Sequence, residues 1–356
     1  MTASYAVVQT DAKTGSVVRT LPITGVSFTH TLNDAGSATV GIPLFAPEAD
    51  PESLVPGVSG LVVLRDGAPV WGGILWALSA DIAAGTLALN AAGFHSHYKG
   101  RNFIHGWNAR NTEQTRMIKD WFAYFNTENG IGTDTSMVRP TAHKRTRVWT
   151  RYELKNGAEA IEELADTIHG FNFRYEAYWK TPGRQIGHRL LVADRAGVPT
   201  SHRLTHRANC DVTRVGYDST ALCTQAFAMG SDPGNGGRLV AGKVNRALRD
   251  RMPDRLKVNT YGDVKETQTL FDMATATLNA GAVPVAIPEL TLYPGLFSPA
   301  DFVPGEYAAI QVDAGYVALY DEFVVTECAT AVDVNGTETI SLALASKDVF
   351  TNADPS

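Results

Sequence analysis

Apolar and polar residues alternate through the first hundred positions. Val26, Phe28, His30 and Leu32 fall on one face of an extended segment, and Ala38, Val40 and Ile42 on one face of the next. Residues 5–10 and 16–21 flank the turn Lys13-Thr14-Gly15. Residues 61–64 and 70–75 are joined by Arg65-Asp66-Gly67-Ala68-Pro69, whose Asp-Gly pair signals a hairpin. Residues 86–90 close the set, with Leu87 and Leu89 on one face. Short strands with frequent turns predict a barrel or sandwich.

The period changes after residue 100. Met117, Ile118, Trp121, Phe122 and Phe125 form one stripe, which predicts a helix over 112–125 with Asn111 as N-cap and Gln114 at the capping-box position. Ile161, Leu164, Ala165 and Ile168 predict a second helix over 157–169, opened by Asn156 with Glu159 and stopped by Gly170. Residues 171–179 and 189–193 read as strands around Thr181-Pro182-Gly183, and the polar, basic stretch 127–150 as a long loop. Strands return after residue 210, at 211–217 and 222–229, followed by the loop 231–237. One helix comes next, capped by Asp263 and Glu266, with Leu270, Met273, Ala274 and Leu278 facing one way. Strands at 289–293, 308–312, 323–329 and 339–345 complete the chain. The expected fold is mainly β: two related β-barrel domains, 1–98 and 215–356, separated by a small α+β insertion at 99–214.

An internal repeat supports the two-barrel expectation. Val55-Pro56-Gly57 recurs as Val303-Pro304-Gly305, 248 residues later. At the same offset Leu61 falls on Ala309, Leu64 on Val312 and Gly67 on Gly315. With two more residues allowed, Ile74 in Trp71-Gly72-Gly73-Ile74-Leu75 falls on Val324, beside Phe323. With three further, Thr86-Leu87-Ala88-Leu89 falls on Thr339-Ile340-Ser341-Leu342. Pro presets φ and Gly accepts positive φ, so each Pro-Gly pair makes a tight turn into a strand. The structural landmarks are therefore Pro56, Gly57, Gly67, Trp71 and Gly73 in one half, and Pro304, Gly305, Gly315 and Phe323 in the other.

Charge changes the picture through its distribution. The net charge of −6 divides into −4 over 1–98, +7 over 99–214 and −9 over 215–356. A basic middle between acidic flanks suits self-complementary assembly. The opening residues show no basic-then-apolar leader, and no apolar run approaches about 18 residues, so neither a signal peptide nor a membrane anchor is expected. Cys210, Cys223 and Cys328 are odd in number and widely spaced, as in a protein made in a reducing cytosol, and read as small buried hydrophobes.

Chemistry-bearing motifs are few. His95-Ser96-His97 could offer two metal ligands from a strand, but no third ligand lies nearby and a surface or capping role is the plainer reading. Gly-x-Ser-x-Gly, His-Glu-x-x-His and phosphate-loop patterns are absent. The Gly-rich loop 231–237 lacks the lysine of a phosphate site, and Glu162-Glu163 reads as a solvated helix face. The basic run Arg139, His143, Lys144, Arg145, Arg147 and Arg151, interleaved with Trp149 and Tyr152, reads as a solvated loop, a contact for an acidic protein, or a contact for DNA. Exposed Trp107 or Trp179 would suit a sugar-stacking module acting on the cell envelope.

Leu64-Arg65-Asp66-Gly67, Trp71-Gly72-Gly73-Ile74 and the run from Leu87 to Phe94, with the helix at 266–279, Leu290-Thr291-Leu292 and Val303-Pro304-Gly305, resemble the tail hub proteins of long-tailed phages, often named minor tail proteins in phages of actinobacteria. The resemblance covers nearly the whole chain as a pattern of elements. It implies a non-enzymatic virion component at the tail tip, made in the host cytoplasm, without cofactor or metal. It implies a homotrimer whose six barrels form a ring between the sixfold tail tube or distal tail ring and a threefold tip, closing the lumen until DNA ejection. Implied partners are the distal tail ring protein, the tape-measure protein and other tail-tip or fibre proteins, with possible contact to DNA in the lumen. A hexameric distal tail ring is the rival, and carries one such barrel.

Overall fold

The computed structural model describes residues 3–165, 169–194, 199–232, 234, 236–261, 267–282 and 285–346. The chain is mainly β. Seven strands come first: β1 (Tyr5–Asp11), β2 (Val17–Leu21), β3 (Gly25–Thr31), β4 (Ser37–Pro43), β5 (Ser59–Arg65), β6 (Ala68–Asp81) and β7 (Thr86–Gly93). Val7, Leu21, Phe28, Val40, Leu61, Val63, Trp71, Leu75 and Leu89 meet in one core. All seven strands feed it, which a sheet achieves only by curling on itself.

The next stretch holds α1 (His95–Tyr98), β8 (Trp107–Glu113), α2 (Gln114–Thr127), β9 (Lys144–Trp149), α3 (Gly157–Ala165), β10 (Phe171–Thr181), β11 (Gln185–Asp194) and β12 (Pro199–Thr205). The stripe read on α2 is its buried face: Met117, Ile118, Trp121, Phe122 and Phe125 are fully buried, with Tyr98, Phe103, Ile161, Leu164, Phe171 and Phe173 around them. Three expectations change here. The N-cap of α2 is Glu113, whose Oε2 accepts the Arg116 N–H at 2.9 Å; Asn111 lies two residues earlier at φ 48°, and Gln114 donates to Thr141 Oγ1 and the His169 carbonyl instead of capping. The stretch 127–150 is not all loop, because β9 pairs antiparallel with β8. Its Arg145, Arg147 and Trp149 share one face, so the alternation is real but written in cationic residues. The His95-Ser96-His97 segment forms a short helix, not a strand. Asn156 does open α3, its Oδ1 accepting the Ala158 and Glu159 N–H groups; Ile168 lies outside the described residues.

The last strands are β13 (Cys210–Asp218), β14 (Gln225–Met229), β15 (Val240–Val244), β16 (Leu256–Thr260), β17 (Val285–Leu292), β18 (Tyr307–Ala314), β19 (Val317–Val332) and β20 (Glu338–Ser346), with helices α4 (Arg246–Arg249) and α5 (Thr267–Ala280). Asp263, Glu266 and two residues of the loop 231–237 lie outside the described residues. The largest sheet runs β13-β17-β20-β19-β3-β4-β7-β6-β5-β1-β2, with β18 against β19 and β12 against β18.

Contacts group the chain into two compact units, Met1–Val212 with Leu290–Ala343, and Thr213–Glu289 with Leu344–Ser356. These limits differ from the segment ends read in the sequence. The reason is nonlocal pairing: β19 lies beside β3, and its Val332 enters the first core. Within the second unit, β15-β14-β16 form a three-stranded sheet, and α5 packs Leu270 and Ala274 against Ala228 and Ala241.

Candidate assembly surfaces and partner-binding site

The two Pro-Gly turns make the same hydrogen bonds. Gly57 at φ 79° donates to the Leu75 carbonyl at 2.7 Å, and Gly305 at φ 97° donates to the Val325 carbonyl at 2.9 Å. Val58 donates to Val55 at 3.2 Å, and Glu306 to Val303 at 3.0 Å. Each turn then enters the first strand of a hairpin, β5–β6 or β18–β19. The strand orders match as well: β3-β4-β7-β6-β5-β1 in one half, β13-β17-β20-β19-β18-β12 in the other. The halves differ at the last member, since β1 is antiparallel to β5 whereas β12 is parallel to β18.

The remaining landmarks occupy related but not identical places. Trp71 faces Val63 across the first hairpin, and Phe323 faces Ala308 across the second. Both are buried, and the Trp71 Nε1–H donates to the Thr29 carbonyl at 3.1 Å. Gly67 is the second loop residue after Asp66, both with positive φ, whereas Gly315 is the first loop residue of its hairpin. Gly73 sits where a Cβ would meet the Ala92 carbonyl oxygen at 2.2 Å.

These contacts predict unequal costs for the two turn glycines. An alanine at either must adopt a positive φ, costing about 1–2 kcal/mol. At Gly57 the new Cβ would meet only Trp76 at 3.7 Å, but at Gly305 it would meet Leu32 Cδ1 at 3.2 Å and Asn172 Nδ2 at 3.3 Å. Urea unfolding should therefore rank Gly305→Ala below Gly57→Ala, with both below the parent; the reverse order would contradict the packing at Gly305.

The halves are also joined by an ion pair. Glu338 Oε2, at the start of β20, accepts from the Tyr5 hydroxyl of β1 and from Arg65 Nε of β5 at 2.9 Å. Burial and this carboxylate push the Tyr5 hydroxyl well above its ordinary range.

The basic residues do not form one exposed arm. Arg145 and Arg147 are half-buried on the face of β9 that carries Trp149, which packs on Trp121 and Phe103. The Arg145 Nη1–H donates to the Lys144 carbonyl at 3.3 Å and the Arg147 Nη1–H to the Thr146 carbonyl at 3.0 Å, so both guanidinium groups are turned back onto the strand. Burial lowers the Arg147 pKa from its usual value. Lys144 points the other way, Arg151 stacks on Tyr152 at 4.8 Å, and Arg139 is exposed upstream. Trp107 packs against Trp121 and Tyr124, and Trp179, partly buried beside Val8 and Ile186, donates its Nε1–H to the Gly67 carbonyl at 2.9 Å.

The histidine pair serves two separate environments. His95 is fully buried, with Nε2 2.8 Å from Glu162 Oε1 and Nδ1 3.1 Å from the Tyr175 hydroxyl. Glu162 is thus tied to the core, while Glu163 pairs with Lys155. The His97 ring has a buried Nε2 without a hydrogen-bond partner, and burial lowers its pKa to about 4. Among the described residues no three His, Cys, Asp or Glu side chains gather as a metal site. The three cysteines are buried free thiols. A cavity of about 380 Å³ beside Trp71 and Phe302 has Arg174 and Arg189 on its wall, both paired to Glu176. No helix among the described residues is long and apolar enough to cross a membrane.

No protein-family model matches the chain, and no curated protein does. Solved structures share its fold from end to end. A tail protein from Neisseria meningitidis MC58 superposes with a TM-score of 0.68 at 15% identity, covering 99% of this chain and 100% of that one. The 43 kDa tail protein of prophage MuSo2 from Shewanella oneidensis gives 0.68 at 10% identity, over 97% and 99% of the two chains. Prophage tail protein gp18 from Listeria monocytogenes EGD-e gives 0.56 at 11% identity, over 95% and 94%. At these identities the likeness is one of fold: the chain has the fold of phage tail proteins.

Proposed function

We propose that this chain is a structural, non-catalytic tail component: the trimeric hub at the tail tip of a phage-like particle. The observation that carries the reading is the duplicated architecture, with matching turns, hairpins and strand orders, inside a fold shared over the whole length with tail proteins. A chain with two such halves presents six related modules when three copies assemble, so a threefold object can face a sixfold one. The hub joins the tail tube or distal tail ring to the tip and closes the lumen until DNA leaves. Its partners are the distal tail ring protein, the tape-measure protein and tip or fibre proteins. The basic residues around β9 supply a contact for an acidic partner or for DNA in the lumen. Its placement among actinobacterial phages rests on the sequence pattern alone.

Native mass spectrometry of the purified chain, alone and with its neighbouring tail proteins, tests this. The expected species is three times the chain mass. A hexamer would replace the hub with the distal tail ring, and a monomer under all conditions would remove both readings.

A further inference from the structure

The second half of the repeat shows what should cover an exposed edge in the first. Glu327–Val332 of β19 pair antiparallel with Val26–Thr31 of β3, in a ladder that begins with the Leu32 N–H donating to the Thr326 carbonyl at 2.8 Å. On the covered strand Cys328, Thr330 and Val332 are 0%, 1% and 5% exposed. The equivalent stretch lies 250 residues earlier, at the end of β6 and one residue past it, where Leu78, Ala80 and Ile82 replace them. There β6 pairs with β7 along one edge, and among the described residues no strand pairs with the other beyond Leu75. Leu78 is 40% and Ile82 79% exposed, and the neighbouring Trp76 and Phe45 are exposed too. An apolar, unpaired strand edge is a template for another strand.

The molecule also carries the strand that fits. The counterpart of β3 is β13, which ends the sheet and, among the described residues, has β17 as its one neighbour there. The Tyr293 N–H to Asn209 carbonyl bond and the Thr213 Oγ1 to Glu289 carbonyl bond, each 3.1 Å, set β13 against β17; Thr291 Oγ1 at 3.4 Å from Ser341 Oγ sets β17 against β20. Carried through this register, residues 212–217 stand where 26–31 stand in β3. We propose that residues 212–217 of one copy add to the free edge of residues 77–82, the end of β6 and the residue after it, in a second copy, as β3 adds to β19 within one chain. Different surfaces meet in such a contact, so repeating it closes a ring or grows a filament. Closure at three rests on the hub reading; the pairing itself rests on the repeat.

The template identifies a test pair. Leu32 and Thr326 are a hydrogen-bonded pair, so Thr29 and Ala329, three places along, are a non-hydrogen-bonded pair with Cα atoms about 4.5 Å apart. Their counterparts across the proposed contact are Val215 and Ser79, at a separation a disulfide can span. One chain with Ser79→Cys and a tagged chain with Val215→Cys, mixed and oxidised, should give a disulfide-linked dimer of both chains. The native thiols are buried and should stay silent. Arg214→Cys, one place off register, should link poorly in place of Val215→Cys. Ile82→Asp, at an exposed position, should abolish self-association without lowering the Tm. A trimer by native mass that neither cross-links at 79–215 nor responds to Ile82→Asp would overturn this edge and leave the hub reading standing. A chain that never associates would overturn both.

Discussion

Acidification from pH 7.5 to pH 4.5 should cost this protein about 3 kcal/mol of stability through His188 alone. Its ring is 6% exposed, stacked on Phe94 at 4.0 Å, with Nε2 2.8 Å from Thr133 Oγ1, which in turn lies 2.6 Å from the Tyr98 hydroxyl. Burial lowers its pKa to about 3, the nearby His97 pushes the same way, and Asp134 opposes. In the unfolded chain the imidazole takes a proton below pH about 6.5, while in the folded chain it stays neutral until about 3. The unfolded state therefore binds more protons across this window. Stability is fully present above pH 6.5 and is lost as pH falls toward 3, by about 1.4 kcal/mol per pH unit. His97, lowered to about 4, adds a smaller amount because its ring is partly in water. Carboxylates with lowered pKa, such as Asp34 and Glu113, act mainly below this range. Urea unfolding at pH 7.5, 6.0 and 4.5 measures the slope. His188→Gln keeps a partner for Thr133 and removes the titrating group, so it should flatten the slope by about one proton. An unchanged slope in that variant would show that His188 does not control the acid response.

The features legible in the sequence were local ones. Alternation in residues 26–32 and 38–42 marks β3 and β4, and the aromatic stripe of α2 is the buried face, because burial imposes the period of the element on its apolar residues. The Pro-Gly turns were readable at 248 residues' separation because each turn is built from its own four residues. What was hidden depends on distant partners. The burial of His95 depends on Glu162 and Tyr175, 67 and 80 residues away, so the His-Ser-His motif looked like a surface pattern. β9 is hidden in the sequence because its inward positions are Arg145, Arg147 and Trp149, a face that charge counting assigns to solvent. The pairings of β19 with β3 and of β12 with β18 leave no mark in either strand, and they decide how the chain divides into units. Hairpin loop chemistry was half legible: Gly67 and Gly315 are both turn glycines, but two positive-φ residues in one loop against Gly315 in the other shift their places.

Glu338→Ala should be among the most damaging single changes outside the aromatic core, because one carboxylate joins the two halves of the repeat. It takes bonds from Tyr5 on β1 and Arg65 on β5, and its side chain and that of Arg65 are 13% and 23% exposed. Removal leaves the guanidinium with Asp66 alone, 3.6 Å away and largely in water, and strands the Tyr5 hydroxyl. Breaking a fully buried pair costs about 3–5 kcal/mol. Because Arg65 is partly hydrated, about 2–3 kcal/mol is expected here. Glu338→Gln keeps an acceptor for Tyr5 and loses only the charge, so it should fall between Ala and the parent. Arg65→Met with Glu338→Leu removes both charges together and should cost less than the sum of the two single changes, which a double-mutant cycle reads directly. Urea midpoints for the six proteins, the parent, Glu338→Ala, Glu338→Gln, Arg65→Met, Glu338→Leu and the double change, decide the matter. If Glu338→Ala costs less than about 0.5 kcal/mol, or the two changes simply add, the pair is an exposed contact of the ordinary kind and the halves are held together by the β3–β19 ladder and the packing of Val332 in the first core.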